Sequence, residues 1–550
     1  MRSSWLYIIL SFLLFTSCGI KKSLNNIPDY QLDTLHHFAK NYGENLKVYK
    51  NNSLLKNQYG IWEMYIEGDA LERGTAIGIL TKELMQKQEQ IFLEKVESLV
   101  PEQRMNLLKK ITAYYNRHLD YYVLEEYKKE IFALSQYMTP KYNDLAHPYK
   151  RALYLHAAHD IGHALQDLML VGCTSFAVWG DKSYDGNLLL GRNFDFYAGD
   201  DFAEEKIVAF INPDTGNKFT MLTWPGFIGV VSGMNEKGIT VTINAGKSKI
   251  PWSAKTPIAL VTREILQYAN SIEEAIEIAK NKEVFVSEAI MVGSAKENKA
   301  VLIELSPKNF GVYEVENSDK LLCTNHFQSE NYKDDKRNLI TIEESHTQPR
   351  FLRLQELINE EEKINPTKAV EILRDKKGVD NNELGFGNEL AINQLLAHHS
   401  IVFQPNKLRF WVSTKPYQLG EFIAYDLGSA FADFETGLHN EKLIPELTIP
   451  ADSFLTTQSY KNYEKFRLER KKITDAIENN LWLEDNYVES FVALNPEFWE
   501  TYKYVGDYYF EHQKFEEASK YYQIAMTKEV TTQPDLQYLK KQLRKSKRKF

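Results

Sequence analysis

The 550-residue sequence predicts an α+β fold: a sandwich of β-sheets covered by helices, with a mainly helical segment before it and a helical repeat segment after it. Three observations predict it. Apolar residues recur at spacings of three and four along 80–100 and 105–122, which is the period of an amphipathic helix. From Val171 the texture changes to short β-rich runs separated by Gly, Asn and Asp, the pattern of hairpins. After Pro450 the helical period returns.

The first element is an address. Residues 1–17 read as a secretory signal, with Arg2 ahead of an apolar run, Leu6 to Phe15, too short to span a bilayer. It ends in Phe15-Thr16-Ser17-Cys18-Gly19, and small residues directly before a Cys resemble the lipobox of bacterial lipoproteins. That resemblance implies cleavage before Cys18, lipid attachment to it, and an exported protein held on the periplasmic or cell-surface face of a bacterial membrane. Residues 18–29 read as a tether and 30–172 as mainly helical. The exception is Gly60 to Gly68, which alternates like a strand and leads through Asp69 to Gly74 into a helix.

The β-rich region, 173–445, carries expected strands at Thr174–Trp179, Leu188–Leu190, Lys206–Ile211, Phe219–Thr223, Gly229–Val231 and Ile239–Ile243. Helices are expected at about 257–268 and 272–281. Strands follow at Val284–Val292, Lys299–Leu305, Gly311–Val315 and Leu321–Thr324, then helices at 348–360 and 366–375, then a β pair at 400–404 and 407–413. Residues 446–550 read as a tetratricopeptide-like segment, with Tyr502, Val505, Gly506, Tyr509, Ala518, Tyr522 and Ala525 at its key places. Such a unit cannot bury its faces alone; it either caps the core or offers a surface to a protein partner.

Composition narrows the function. Hydrophobic residues at 43% and charged residues at 26% describe an ordinary globular chain, and a net charge of −9 argues against nucleic-acid binding. Three cysteines, Cys18, Cys173 and Cys323, are too few for a disulfide framework, so each is read singly. Cys323 falls in an expected strand and reads as a core thiol.

The chemistry gathers around Gly172-Cys173-Thr174-Ser175, followed one hairpin later by Arg192-Asn193-Phe194-Asp195. If the second strand runs back beside the first, Arg192 and Asp195 come near the start of the Cys173 strand. Gly233-Met234-Asn235-Glu236-Lys237-Gly238, Asn244, Thr324-Asn325-His326, Arg350 with Arg353, and His399-Ser400 follow in order. Upstream stands Gly68 with Arg73-Gly74. Together these motifs resemble the acyl-coenzyme A:6-aminopenicillanate acyltransferase-like (C45-type) family, related to choloylglycine hydrolase, of N-terminal-nucleophile hydrolases.

The resemblance implies a four-layer αββα core over 173–445, a pro-segment over 30–172, and self-cleavage between Gly172 and Cys173. It implies that Cys173 is the nucleophile, that Asp195 orients its new α-ammonium and that Arg192 favours its thiolate. By the same resemblance Asn244 donates to the oxyanion, Asn325 positions the amine or scissile bond, and Arg350 completes the polar network. A Cys at a chain terminus carries its own base, because an α-amine with a pKa near 7.7–8.0 is partly neutral at working pH. The expected reaction is cleavage of a linear acyl amide through a Cys173 thioester, without metal or cofactor. Acyl transfer from the same thioester is the alternative, and a catalytically inactive repeat-bearing lipoprotein is another. His156, His159 and His163 fall on helical spacing with Asp160 between them, which suggests zinc. The His-Glu-x-x-His signature is missing, and an amphipathic face explains the same spacing.

Overall fold

The protein is described from a computed structural model covering residues 24–32, 38–99, 102–157, 160, 170–197, 199–247 and 253–549. Cys18, His159 and His163 lie outside the described residues.

Two large sheets stack face to face. Alternation along each strand sends one row of side chains between the sheets and the other outward under helices. The first sheet contains β4 (Trp62–Gly68), β7 (Ile207–Pro213), β8 (Phe219–Thr223), β9 (Ser232–Asn235), β10 (Ile239–Ala245), β11 (Glu288–Ser294), β12 (Lys299–Leu305) and β13 (Phe310–Tyr313) in that order. The second runs β14 (Lys320–Cys323), β5 (Leu170–Val178), β6 (Leu189–Tyr197), β15 (His399–Gln404), β16 (Arg409–Ser413), β17 (Phe422–Asp426) and β18 (Leu443–Ile449). Between the sheets pack Ala177, Leu190, Val208, Phe210, Leu302 and Phe403. Ile258, Val261 and Ile265 of the helix Ile258–Tyr268 cover the outside of the first sheet against Val241 and Ile243. Leu354, Val370 and Leu373, from the helices Thr347–Glu360 and Pro366–Leu373, cover the second against Phe176 and Val402. This is the four-layer αββα sandwich.

The upstream segment is mainly helical, as expected, but holds strands beyond the one expected at Gly60 to Gly68. Besides β4 it contributes β1 (Lys40–Tyr42), β2 (Leu46–Tyr49) and β3 (Asn52–Lys56), which extend the first sheet outward from β4. These strands are short and carry Lys and Asn, so they lack the apolar alternation that marked β4. The join is made by β4, which pairs in parallel with β7 from Trp62 opposite Ile207 to Gly68 opposite Pro213. The helices Ala70–Leu99, Glu125–Ser135 and Pro148–His156 then pack over this end of the sheet.

Arg73 explains the upstream motif. Buried at the start of Ala70–Leu99, it donates to Glu130 Oε2 at 3.1 Å, Glu126 Oε1 at 2.6 Å and the Gly68 carbonyl at 2.8 Å. Arg263, in the helix covering the core sheet, meets the same Glu130 at 3.1 Å. A Cβ on Gly74 would stand 2.2 Å from the Glu130 carbonyl, so glycine lets the two upstream helices touch.

Other differences are local. The strand expected at Gly229–Val231 begins instead at Ser232. The helix Lys336–Glu344, β17, the helix Leu427–Glu435 and β18 were not anticipated, and the expected core boundary at 445 falls inside β18. The C-terminal region is helical: Gln458–Asn479, Tyr487–Leu494, Trp499–Glu511, Phe515–Ala525 and Gln533–Lys547. A Cβ on Gly506 would stand 2.7 Å from the Tyr522 ring, so glycine sets the close approach of two of these helices. The unit is fastened to the core loop near 385–390. Asn495 exchanges two hydrogen bonds with the Phe386 backbone, and Asn388 bonds Thr531 and the Glu529 carbonyl. No helix among the described residues is long and apolar enough to cross a membrane.

Candidate active site

β5 and β6 pair antiparallel, with Cys173 opposite Phe194, Gly172 opposite Asp195 and Ser175 opposite Arg192. Arg192 and Asp195 therefore flank the start of the Cys173 strand. Arg192 Nη2 lies 3.7 Å from Cys173 Sγ. Its guanidinium is held by the Val231 carbonyl at 2.8 Å, by the Ile243 carbonyl and by Ser232 Oγ. The backbone N–H of Cys173 donates to Asn325 Oδ1 at 3.0 Å. Arg350 donates to that same Oδ1 at 2.6 Å, to the Cys173 carbonyl at 2.8 Å and to Thr174 Oγ1 at 2.9 Å. Asn325 Nδ2 donates to the Ala245 carbonyl at 2.9 Å, so the side chain is fixed at both ends.

The site is dry. Burial pushes the Cys173 thiol above its ordinary range, and the Arg192 guanidinium opposes that push. Burial raises the Asp195 carboxyl to about 8, against the pull of Arg350 and Arg192. Both Asp195 oxygens are buried without a hydrogen-bond partner among the described residues. A thiol, a guanidinium and an unsatisfied carboxyl thus surround one peptide bond, Gly172–Cys173.

Asn244 is placed differently from the oxyanion donor that the family pattern implies. Its Nδ2 donates to the Cys323 and Thr324 carbonyls at 3.3 and 3.2 Å, and its Oδ1 accepts from Ser175 Oγ at 2.6 Å. In the uncleaved chain this amide ties β10 to β14 and β5. Asn235 is a hairpin residue: its Oδ1 accepts from the amides of Lys237 and Ile239. Cys323 is a buried free thiol in β14.

A polar chain behind Arg192 was not anticipated. Arg192 donates to Ser232 Oγ, which lies 2.9 Å from His399 Nε2, and His399 Nδ1 lies 2.9 Å from His398 Nδ1. Since the serine oxygen accepts from Arg192, its own proton is free for His399, which then donates to His398. Burial lowers both imidazoles well below their ordinary range, so the chain is neutral and braces the guanidinium. Ser232 had no motif to mark it; His399 stood in one of the motifs that carried the family resemblance, without a role assigned to it.

Of the set His156, His159, Asp160 and His163, the described residues include His156 and Asp160. His156 is buried, its Nε2 accepting from the Ile228 amide at 3.0 Å, and Asp160 accepts from the Ile258 amide at 2.8 Å. Both tie the upstream segment to the core backbone, and no group of three metal-capable side chains occurs among the described residues.

Residues 182–415 match the family model described as acyl-coenzyme A:6-aminopenicillanic acid acyl-transferase. Over that central segment the chain is similar to the acyl-transferase family. The acyl-transferase match takes in Arg192, Asp195, Asn244, Asn325 and Arg350 and begins after Cys173. The chain is 26% identical to an uncharacterized protein of Archaeoglobus fulgidus over 274 residues, 46% of this chain and 45% of that protein. It is 26% identical to protein dcd1B of Dictyostelium discoideum over 286 residues, 48% of this chain and 53% of that protein. It therefore spans about half the length of the curated relatives it matches. Among solved structures it is similar to a Caenorhabditis elegans N-acylethanolamine-hydrolyzing acid amidase ortholog, with a TM-score of 0.32 and 20% identity, covering 42% of this chain and 93% of that one. It is also similar to a mutant of conjugated bile acid hydrolase from Clostridium perfringens, with a TM-score of 0.33 and 15% identity, covering 50% of this chain and 96% of that one.

Proposed function

We propose that this protein is a self-processing cysteine amidase that cleaves linear acyl amides through a Cys173 thioester. The observation that carries the reading is the setting of one peptide bond. Cys173 has Arg192 at its thiol, Asn325 at its amide nitrogen, and an unpartnered buried Asp195 opposite the residue before it.

In the first reaction the Cys173 sulfur attacks the Gly172 carbonyl carbon. As the C–N bond breaks, the thiol proton ends on the Cys173 nitrogen, and Gly172 is left as a thioester on Sγ. Water hydrolyses that ester, giving a Gly172 carboxylate and a free thiol. The new α-ammonium lies beside Asp195, which becomes its counter-ion and draws the carboxyl pKa back down. In turnover the amine in its neutral form takes the thiol proton and returns it to the leaving amine. Arg192 favours the thiolate. Asn325 holds the amine and Arg350 holds Asn325. The aromatic side chains next to the site, Phe194, Phe196 and Trp224, stack on one another and suit an apolar acyl group. The description of the matched family favours a second reading, in which an amine replaces water at the thioester; products analysed with and without an amine acceptor separate the two. Export with a lipid on Cys18 and a partner-binding role for the C-terminal helices belong to the same proposal.

The test is the intact mass of the full chain beside its Cys173→Ala variant. The expected result is two chains from the wild type, the second beginning at Cys173, and one whole chain from the variant. Protein recovered from membranes is expected to carry acyl mass on Cys18. A wild-type chain that stays whole and fails to label with an active-site thiol probe would sink the enzyme reading.

A further inference from the structure

We propose that Gln394 is a further catalytic residue of the cleavage step, its side-chain amide donating to the oxyanion that forms on the Gly172 carbonyl oxygen. The inference rests on the self-processing reading above and adds a residue to it.

Gln394 is buried, and its Nε2 has no hydrogen-bond partner among the described residues. An amide N–H left unpaired in a dry site costs about 1–3 kcal/mol, so such a group asks for an acceptor. Its position says which. A Cβ built on Gly172 would stand 2.7 Å from Gln394 Nε2 and 3.1 Å from its Oε1. The amide packs against the α-carbon of the residue whose carbonyl is attacked, where a Cβ would displace it. The other polar donors around the bond are largely committed. Asn325 Nδ2 serves the Ala245 carbonyl, Asn244 Nδ2 serves those of Cys323 and Thr324, and the Arg350 Nη atoms serve Cys173, Thr174 and Asn325. The Nε atoms of Arg192 and Arg350 are also unpaired; the atoms nearest a Cβ on Gly172 are those of the Gln394 amide.

The loop carrying Gln394 is built to hold it still, which a preorganised donor requires. On one side Asn193 Nδ2 donates to the Ile392 carbonyl at 3.0 Å and the Leu373 carbonyl at 2.8 Å. The Asn393 amide donates to the Asp375 carbonyl at 2.8 Å, and Asn393 Oδ1 accepts from Leu395 N at 3.0 Å. On the other side Leu395 takes a left-handed φ of 54°, and the His398 amide donates to the Phe194 carbonyl at 2.9 Å. When sulfur adds to the Gly172 carbonyl carbon, the electron pair of the C=O bond moves onto oxygen. The Gln394 N–H bonds that charge until the C–N bond breaks and the carbonyl re-forms; no proton is transferred to or from Gln394.

The test follows cleavage of the full chain during cell-free synthesis, by intact mass, for the wild type, Gln394→Met and Gln394→Glu across pH. Removing one oxyanion donor slows other hydrolases by about 10²–10³-fold, so Gln394→Met is expected to slow cleavage about 10²-fold at every pH. Gln394→Glu keeps the shape. Its carboxylate cannot donate but its neutral acid can, so its rate relative to wild type is expected to rise as pH falls, while the Gln394→Met ratio stays flat. Gln394→Met that melts like wild type and cleaves at the wild-type rate overturns the proposal. If Gln394→Met does not fold, a Gln394→Glu ratio that is flat with pH overturns it. A wild-type chain that never cleaves instead overturns the self-processing reading itself.

Discussion

Both oxygens of Asp195 are buried without a hydrogen-bond partner among the described residues, and the peptide nitrogen that would become an ammonium is still acylated. The uncleaved chain therefore holds a carboxyl in reserve at a cost to stability. Its folded pKa, about 8, lies above the ordinary 3.8, so between those values the folded chain keeps a proton that the unfolded chain has lost. Stability from this group is fully present below about pH 4 and declines as pH rises toward 8. Asp195→Asn in a Cys173→Ala background is expected to raise the melting temperature over Cys173→Ala alone, with a gap that widens from pH 4 to pH 8. A gap independent of pH would show that Asp195 is not the group that titrates. The juxtaposition of Arg192 and Asp195 with Cys173 was legible in the sequence because a hairpin register follows from period-two alternation. Gln394 and Ser232 were not legible. One sits in a loop without periodicity and the other at a strand start, and neither residue type signals a role outside three dimensions.

At the scale of elements, the motif around Arg73 is a clamp. Glu130 lies between Arg73 and Arg263, all three buried, and so joins the upstream helices to the helix over the core sheet. Removing one member of a buried ionic cluster leaves uncompensated charge and costs about 3–5 kcal/mol. Glu130→Ala in the Cys173→Ala background is expected to lose about that much, read as a lower urea midpoint; an unchanged midpoint would refute the clamp. The sequence showed that Arg73 and Gly74 mattered but not why, since Glu130 stands 57 positions from Arg73 and 133 from Arg263. Regular elements rich in apolar β-formers, such as Phe219–Thr223 and Lys299–Leu305, were legible to the residue. The strands before β4 were not, because short polar strands are defined by the neighbour they pair with rather than by their own pattern.

For the whole molecule, the parallel ladder between β4 and β7 joins the two sides of the proposed cut. Cleavage between Gly172 and Cys173 leaves that ladder, the Arg73 clamp and the shared apolar layer intact. The two chains are therefore expected to co-elute in native size-exclusion chromatography and to separate only in denaturant; separation under native conditions would contradict this packing. The parallel ladder has one more consequence. Without the upstream chain, β7 would become the sheet's margin, presenting Ile207, Val208, Ala209, Phe210 and Ile211 with unpaired backbone groups. Such a margin templates pairing with other chains. The upstream segment, whatever its part in processing, acts as a permanent guard against self-association, and a gene trimmed to begin at Cys173 would encode a protein prone to precipitate rather than a ready-made enzyme.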